Sequence, residues 1–139
     1  MPRVQAVLET SLYVTDLHRA IGFYVNVLGL RLIPDGYFEG GRGAALQVGN
    51  GPSVLLLFRP EITRREGPLP AHGTTGAGHV AFRIGLHDLP AWREQLRQHG
   101  VAIEQEVAFG NSPPSIYFRD PDGNSLELAV ADIWGLDGG

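Results

Sequence analysis

The chain has 139 residues, 43% of them hydrophobic and 19% charged, which is enough for one ordinary domain or two small modules and argues against disorder. A formal charge of −4, with no basic stripe on any expected helix, excludes an electrostatic footprint for nucleic acid. The absence of cysteine excludes disulfides, thiolate catalysis and sulfur-ligated metals, and because all eleven basic residues are arginine, lysine chemistry is excluded too.

Residues 4–14 read as a strand, with Val7-Leu8-Glu9-Thr10-Ser11-Leu12-Tyr13-Val14 rich in β-formers. Thr15 or Asp16 offers an N-cap for a helix over 17–28, where Leu17, Ala20, Ile21, Tyr24 and Leu28 follow helical spacing and Gly29 suits the left-handed C′ position. Short strands are expected over 30–33, 44–48 and 53–58, the last two joined by the turn Gly49-Asn50-Gly51-Pro52. The longest apolar run, Ser53 to Phe58, is too short to span a bilayer. The first residues lack the apolar core of a signal peptide, so the expected compartment is the cytoplasm.

After a Pro-, Gly- and Arg-rich connection over 59–76 the order repeats. His79-Val80-Ala81-Phe82-Arg83-Ile84 reads as a strand, and Asp88 is placed to cap a helix presenting Leu89, Trp92 and Leu96 and closed by Gly100. Strands are expected over 101–107, 115–119 and 125–130. The spacing predicts an α+β chain of two βαβββ modules, about 4–60 and 77–131, within a single domain over 1–139. One helix per four strands leaves one sheet face bare, so two modules are expected to form a curved sheet around a cavity. Alternation assigns Leu8, Leu12, Val80, Phe82, Leu126 and Leu128 to the helix side, and Glu9, Ser11, Tyr13, His79, Ala81, Glu127 and Ala129 to the cavity.

Three ionisable residues stand out in that register. His79 and Glu127 are 48 residues apart, and the same step from Glu9 reaches Leu56 or Leu57. One imidazole and two carboxylates suit a divalent cation such as Fe, Mn, Zn, Ni or Co, and three protein ligands leave coordination positions open for a substrate. Taken singly, a strand His or Glu is more often a satisfied polar or rim residue. The shared register is what favours the metal reading.

Three stretches carry a resemblance: residues 15–30, Gly78-His79-Val80-Ala81-Phe82, and Tyr117-Phe118-Arg119-Asp120-Pro121-Asp122-Gly123-Asn124-Ser125-Leu126-Glu127-Leu128. They resemble the vicinal oxygen chelate superfamily, which holds glyoxalase I, extradiol dioxygenases, fosfomycin-resistance enzymes and bleomycin-binding proteins. The resemblance implies a paired βαβββ fold and a metal held by inward residues of the first and last strands. His79 and Glu127 match two ligand positions, Glu9 a third, and Leu56 aligns with a fourth that glyoxalase I fills with a donor. An apolar fourth position favours extradiol-type dioxygenase, and Ile116, Tyr117, Pro121, Gly123 and Glu127 fit its signature, although Ala108-Phe109-Gly110 stands where that signature has a catalytic histidine. A glyoxalase-like lyase or isomerase is the second reading, and a metal-free small-molecule binding protein the third.

Tyr117 is the candidate catalytic residue, a proton or hydrogen-bond donor ten residues before Glu127. Tyr13 is a weaker candidate of the same kind. Arg83 and Arg119 are expected as rim charges, His72 as a solvated loop residue, and Trp134 as a terminal anchor or a cover for the cavity or a partner. Substrate selection is expected from loops such as 37–43 and 109–114. The partners are a small-molecule substrate and, to pair free sheet edges, a second copy in a homodimer.

Overall fold

The computed structural model describes residues 1–38, 41–65 and 69–136. The chain divides into two compact units, residues 1–76 and 77–139. Among the described residues no helix is long and apolar enough to cross a membrane.

The first unit runs β1 (Glu9–Tyr13), α1 (Leu17–Asn26), β2 (Arg31–Tyr37), β3 (Gly43–Gln47), β4 (Val54–Phe58) and a short α2 (Pro60–Thr63). Its four strands lie in the order β1-β4-β3-β2, with β1 and β4 parallel and the other pairs antiparallel. Asp16 caps α1 by accepting from the Arg19 backbone N–H at 3.1 Å, and Leu17, Ala20, Ile21 and Tyr24 form the buried helix face. Leu12, Ala44, Leu46, Leu55 and Leu57 share one sheet face, each 3% exposed or less, and supply the opposing core layer. The strand expected over 4–14 is shorter, and Leu8, expected on the helix side, is 62% exposed. It lies outside the paired segment, so alternation does not direct its side chain.

The second unit repeats the plan with β5 (His79–Arg83), a 3-10 turn (Leu86–Asp88), α3 (Leu89–Gln98), β6 (Gln105–Val107), β7 (Ser115–Arg119), β8 (Ser125–Ala129) and a final 3-10 turn (Ala131–Trp134). The order β5-β8-β7-β6 mirrors the first sheet strand for strand, and β5 and β8 are parallel. Two βαβββ units are therefore present. Asp88 adopts helical angles as the last residue of the 3-10 turn, and its side chain makes no cap bond to α3. The strand expected over 101–107 keeps only its last three residues. Trp134 is 77% exposed, so it does not pack as an anchor within the described residues.

Surface ion pairs tie the outer strand of this unit. Arg93 is bonded to Glu106, and Arg119 to Glu104 with Nε–Oε2 at 2.8 Å. The Arg119 guanidinium holds the Glu104 carboxyl below the usual carboxylate range. A carboxyl lowered on folding stabilises the fold above its unfolded pKa and loses that contribution as pH falls through its folded pKa. Glu104→Gln is thus expected to be slightly less stable than wild type at neutral pH and to converge with it in acid, as urea melts at several pH values would show. Because the pair is exposed, added salt should shrink the difference.

Candidate metal-binding and catalytic site

In the second unit the sheet register places His79 opposite Ser125, and Ala81, Glu127 and Tyr117 in one cross-strand row. His79, Glu127 and Tyr117 consequently share the face opposite Val80, Phe82, Ile116, Phe118, Leu126 and Leu128. Ile116, Phe118, Leu126 and Leu128 are fully buried, whereas the expected helix-side residues Val80 and Phe82 are half-buried.

His79 Nδ1 lies 2.9 Å from the Ser125 carbonyl oxygen. A carbonyl only accepts, so Nδ1 carries the proton and donates it, which leaves Nε2 with its lone pair in the neutral imidazole. Nε2 stands 3.4 Å from Glu127 Oε1. Anchoring one ring nitrogen on a backbone carbonyl while baring the other is how metal-ligating histidines are oriented. Two donors bound to one divalent ion at ordinary lengths lie roughly 3.0–3.5 Å apart. The pair fits a cation.

Glu127 is 6% exposed, and a buried carboxylate needs donors or positive charge. The Tyr117 phenol belongs to the residue paired with it across the β7–β8 ladder. Burial, then the Glu127 charge and its closeness, raise the Tyr117 pKa above the usual phenol value, so it stays protonated through neutral pH. The buried Ser115 hydroxyl, which makes no hydrogen bond of ordinary geometry, lies close enough to offset part of that rise. Tyr117 and His79 rings stack with centroids 6.5 Å apart.

The backbone just before His79 is latched by the Asp-Pro-Asp-Gly-Asn turn. Asn124, 1% exposed, accepts the Gly78 backbone N–H on its side-chain oxygen at 2.7 Å, and the Ser125 N–H returns a bond to the Gly78 carbonyl at 2.9 Å. Asp120, 5% exposed, holds that amide from the other side: its Oδ2 accepts from Asn124 Nδ2 and its Oδ1 from the Asp122 and Asn124 backbone N–H groups, all at 2.9 Å. The motif is visible in the sequence, but its grip on Gly78 crosses 46 residues and appears only in the fold.

In the first unit Glu9 is exposed and pairs with Val54, while Ser11 pairs with Leu56. The second unit has His79 paired with Ser125 and Ala81 with Glu127. The register therefore makes Glu9 the counterpart of His79, and Leu56, not Leu57, the counterpart of Glu127. Leu56 is apolar, so the fourth equivalent position carries no donor. His79 and Glu127 come together, whereas Glu9 lies in the other unit. Among the described residues no three His, Asp or Glu side chains form a metal-type cluster.

Other sequence candidates resolve individually. The Tyr13 hydroxyl and His72 Nδ1 share a hydrogen bond at 2.6 Å, and the His72 ring meets Phe58 edge-on at 5.0 Å, so His72 is engaged rather than a plain solvated loop residue. Arg83 is exposed, and Arg119 is a rim charge paired with Glu104. Phe109 is 47% exposed. Of the loops expected to select substrate, 37–43 includes two positions outside the described residues.

Two mixed sheets of this order, each with a helix on one face and the second with a histidine–carboxylate pair on the other, define a paired βαβββ protein. The family model described as the Glyoxalase/Bleomycin resistance protein/Dioxygenase superfamily matches residues 6–128, and the chain belongs to that superfamily. A lactoylglutathione lyase of Salmonella typhimurium is 31% identical over 126 residues, covering 89% of this chain and 91% of that protein. The crystal structure of a lactoylglutathione lyase from Agrobacterium tumefaciens superposes with a TM-score of 0.88 at 31% identity, covering 97% of this chain and all of the other. The putative ring-cleaving dioxygenase MhqE of Bacillus subtilis is 25% identical over 134 residues, covering 94% of this chain but 42% of that protein. A fosfomycin resistance protein from Listeria monocytogenes, of the same fold at 18% identity and TM-score 0.69, was crystallised with Mn(II).

Proposed function

We propose that this chain is a divalent-metal-dependent enzyme of the glyoxalase-like lyase or isomerase kind, acting on a small organic substrate that chelates the ion through neighbouring oxygens. The observation that carries it is the His79–Glu127 pair, with Nδ1 anchored on Ser125 and a bare Nε2 facing a buried carboxylate at 3.4 Å. In this reading His79, Glu127 and Glu9 would hold the metal, which would supply Lewis-acid polarisation of the chelating oxygens and so acidify the neighbouring C–H bond. Tyr117, kept protonated by burial and by the Glu127 charge, presents its single O–H to a substrate oxygen when Glu127 is engaged by the metal. The protein is cytoplasmic and a homodimer in this proposal.

The dioxygenase reading, preferred on sequence grounds, now ranks second. Its relative is more distant and only partly spanned by this chain, whereas the two lyases match nearly end to end. Leu56 still separates this chain from a four-donor glyoxalase I.

Lactoylglutathione, the compound in those relatives' names, is the substrate to test first. With protein loaded in turn with Fe, Mn, Zn, Ni and Co, interconversion of the α-hydroxy thioester with free thiol and the matching 2-oxo aldehyde is expected to need metal and to stop on chelation. A cysteine-free enzyme adds no thiol background to that assay. Metal-bound protein that consumes oxygen with catechols while leaving lactoylglutathione and related α-hydroxy thioesters untouched would restore the dioxygenase. Protein that binds none of the five ions would point to a small-molecule binding role.

A further inference from the structure

A groove lies in the first unit, about 470 Å³ in volume, against β2, β3 and the β3–β4 hairpin. Ile33, Pro34, Pro52 and Val54 contribute apolar wall, and Arg31 and Gln47 are its long polar side chains. The wall owes its shape to a bulge in β2, where pairing with β3 breaks between Leu32 and Tyr37. Asp35 there has φ of 59°, a conformation that Asp tolerates better than most residues. At Gly36 a Cβ would stand 2.6 Å from the Ile33 carbonyl oxygen and 2.9 Å from that of Ala45, so only glycine closes the bulge.

The polar pair is preset. Gln47 Nε2 donates to the Gly51 carbonyl at 2.9 Å, which ties the amide to the hairpin and turns its Oε1 the other way. That oxygen accepts from Arg31 Nη2 at 2.8 Å and so fixes the guanidinium over the groove. One of five guanidinium N–H groups is used in this bond. Arg59, Arg93, Arg97 and Arg119 are each paired with a glutamate, whereas among the described residues no carboxylate lies within ion-pair reach of Arg31. A positioned, unneutralised guanidinium beside apolar walls has the composition of a small-ligand site. Arg31, Gln47, Val54 and Glu9 also form one cross-strand row, so the groove opens on the sheet face that carries Glu9.

We propose that this groove binds the carboxylate end of a small apolar molecule, with Arg31 as the anion contact and Gln47 as its positioning residue. The subsite rests on the first unit alone and does not require the metal reading. Hexanoate serves as probe and hexanamide as its neutral counterpart, titrated into the full-length ¹⁵N-labelled protein. Hexanoate should shift the Arg31 Nε–H and Gln47 side-chain amide signals saturably. Arg31→Gln should weaken its binding at least about tenfold, as expected for loss of a charge-assisted bond. Hexanamide should bind wild type weakly to a similar degree, and Gln47→Leu should weaken hexanoate by a smaller factor. Arg31 is exposed, so its replacement leaves the fold intact. Glu127→Ala should bind hexanoate like wild type, which separates failure of this subsite from failure of the metal proposal. Unchanged hexanoate affinity in Arg31→Gln, or shifts confined to other arginines, would overturn it.

Discussion

Glu127→Ala is expected to weaken divalent-metal binding by more than about 100-fold, since loss of an outer-shell partner alone typically costs 10–100-fold. The variant should nevertheless be as stable as wild type without metal, or more so. In the metal-free protein Glu127 is a buried carboxylate whose Oε1 faces an imidazole nitrogen at 3.4 Å, and removing it relieves desolvation rather than creating it. Thermal melts with and without metal separate the two effects. A ligand at 100 times its Kd stabilises the native state by about 2.7 kcal/mol, so wild type should melt several degrees higher with metal and Glu127→Ala should not. His79→Ala should behave likewise. A wild-type melting temperature indifferent to all five ions would remove the basis for the metal.

Asn124→Ala is expected to do the reverse, harming the apo protein first. It removes the bonds that Asn124 makes to the Gly78 N–H at 2.7 Å and to Asp120 Oδ2 at 2.9 Å, in a region where Asn124 and Asp120 are nearly inaccessible. Losing two such bonds, one of them to a carboxylate, costs about 2–4 kcal/mol together, which urea denaturation would measure. The segment released is the one that delivers His79, so metal affinity should also drop roughly 10–100-fold in protein that remains folded. Asn124→Asp keeps an acceptor for Gly78 but sets a carboxylate against Asp120, and should be more destabilised than Asn124→Ala. If Asn124→Ala lowered stability while leaving metal affinity untouched, the turn would be a fold element with no part in positioning His79.

Much of the architecture is legible in the chain because its signals are local. Asp16 before Leu17, the helical spacing through Tyr24, Gly29 and Gly100 after the helices, and the Gly-Pro-Asn turn residues each act within a few positions. Ends of strands are less legible, since pairing and not β-propensity decides them: Val4, Val7 and Leu8 look like strand residues yet lie outside the paired segment of β1 and are exposed. The bulge in β2 was invisible for a similar reason, as it depends on carbonyls of Ile33 and Ala45 meeting at Gly36.

The sequence by itself determined the repeated βαβββ order and the superfamily, and singled out His79 and Glu127 as candidates, because element spacing within each module and a two-residue alternation are properties of the chain alone. Spacing alone leaves Leu56 and Leu57 open and the superfamily resemblance points to Leu56; only the register of the tertiary structure makes it the counterpart of Glu127, because a one-residue slip reverses the face. The tertiary structure also decided which nitrogen of His79 is bare and that Asn124 grips Gly78. Those facts depend on hydrogen bonds between segments 46 residues apart, which become neighbours only when β5 docks parallel to β8.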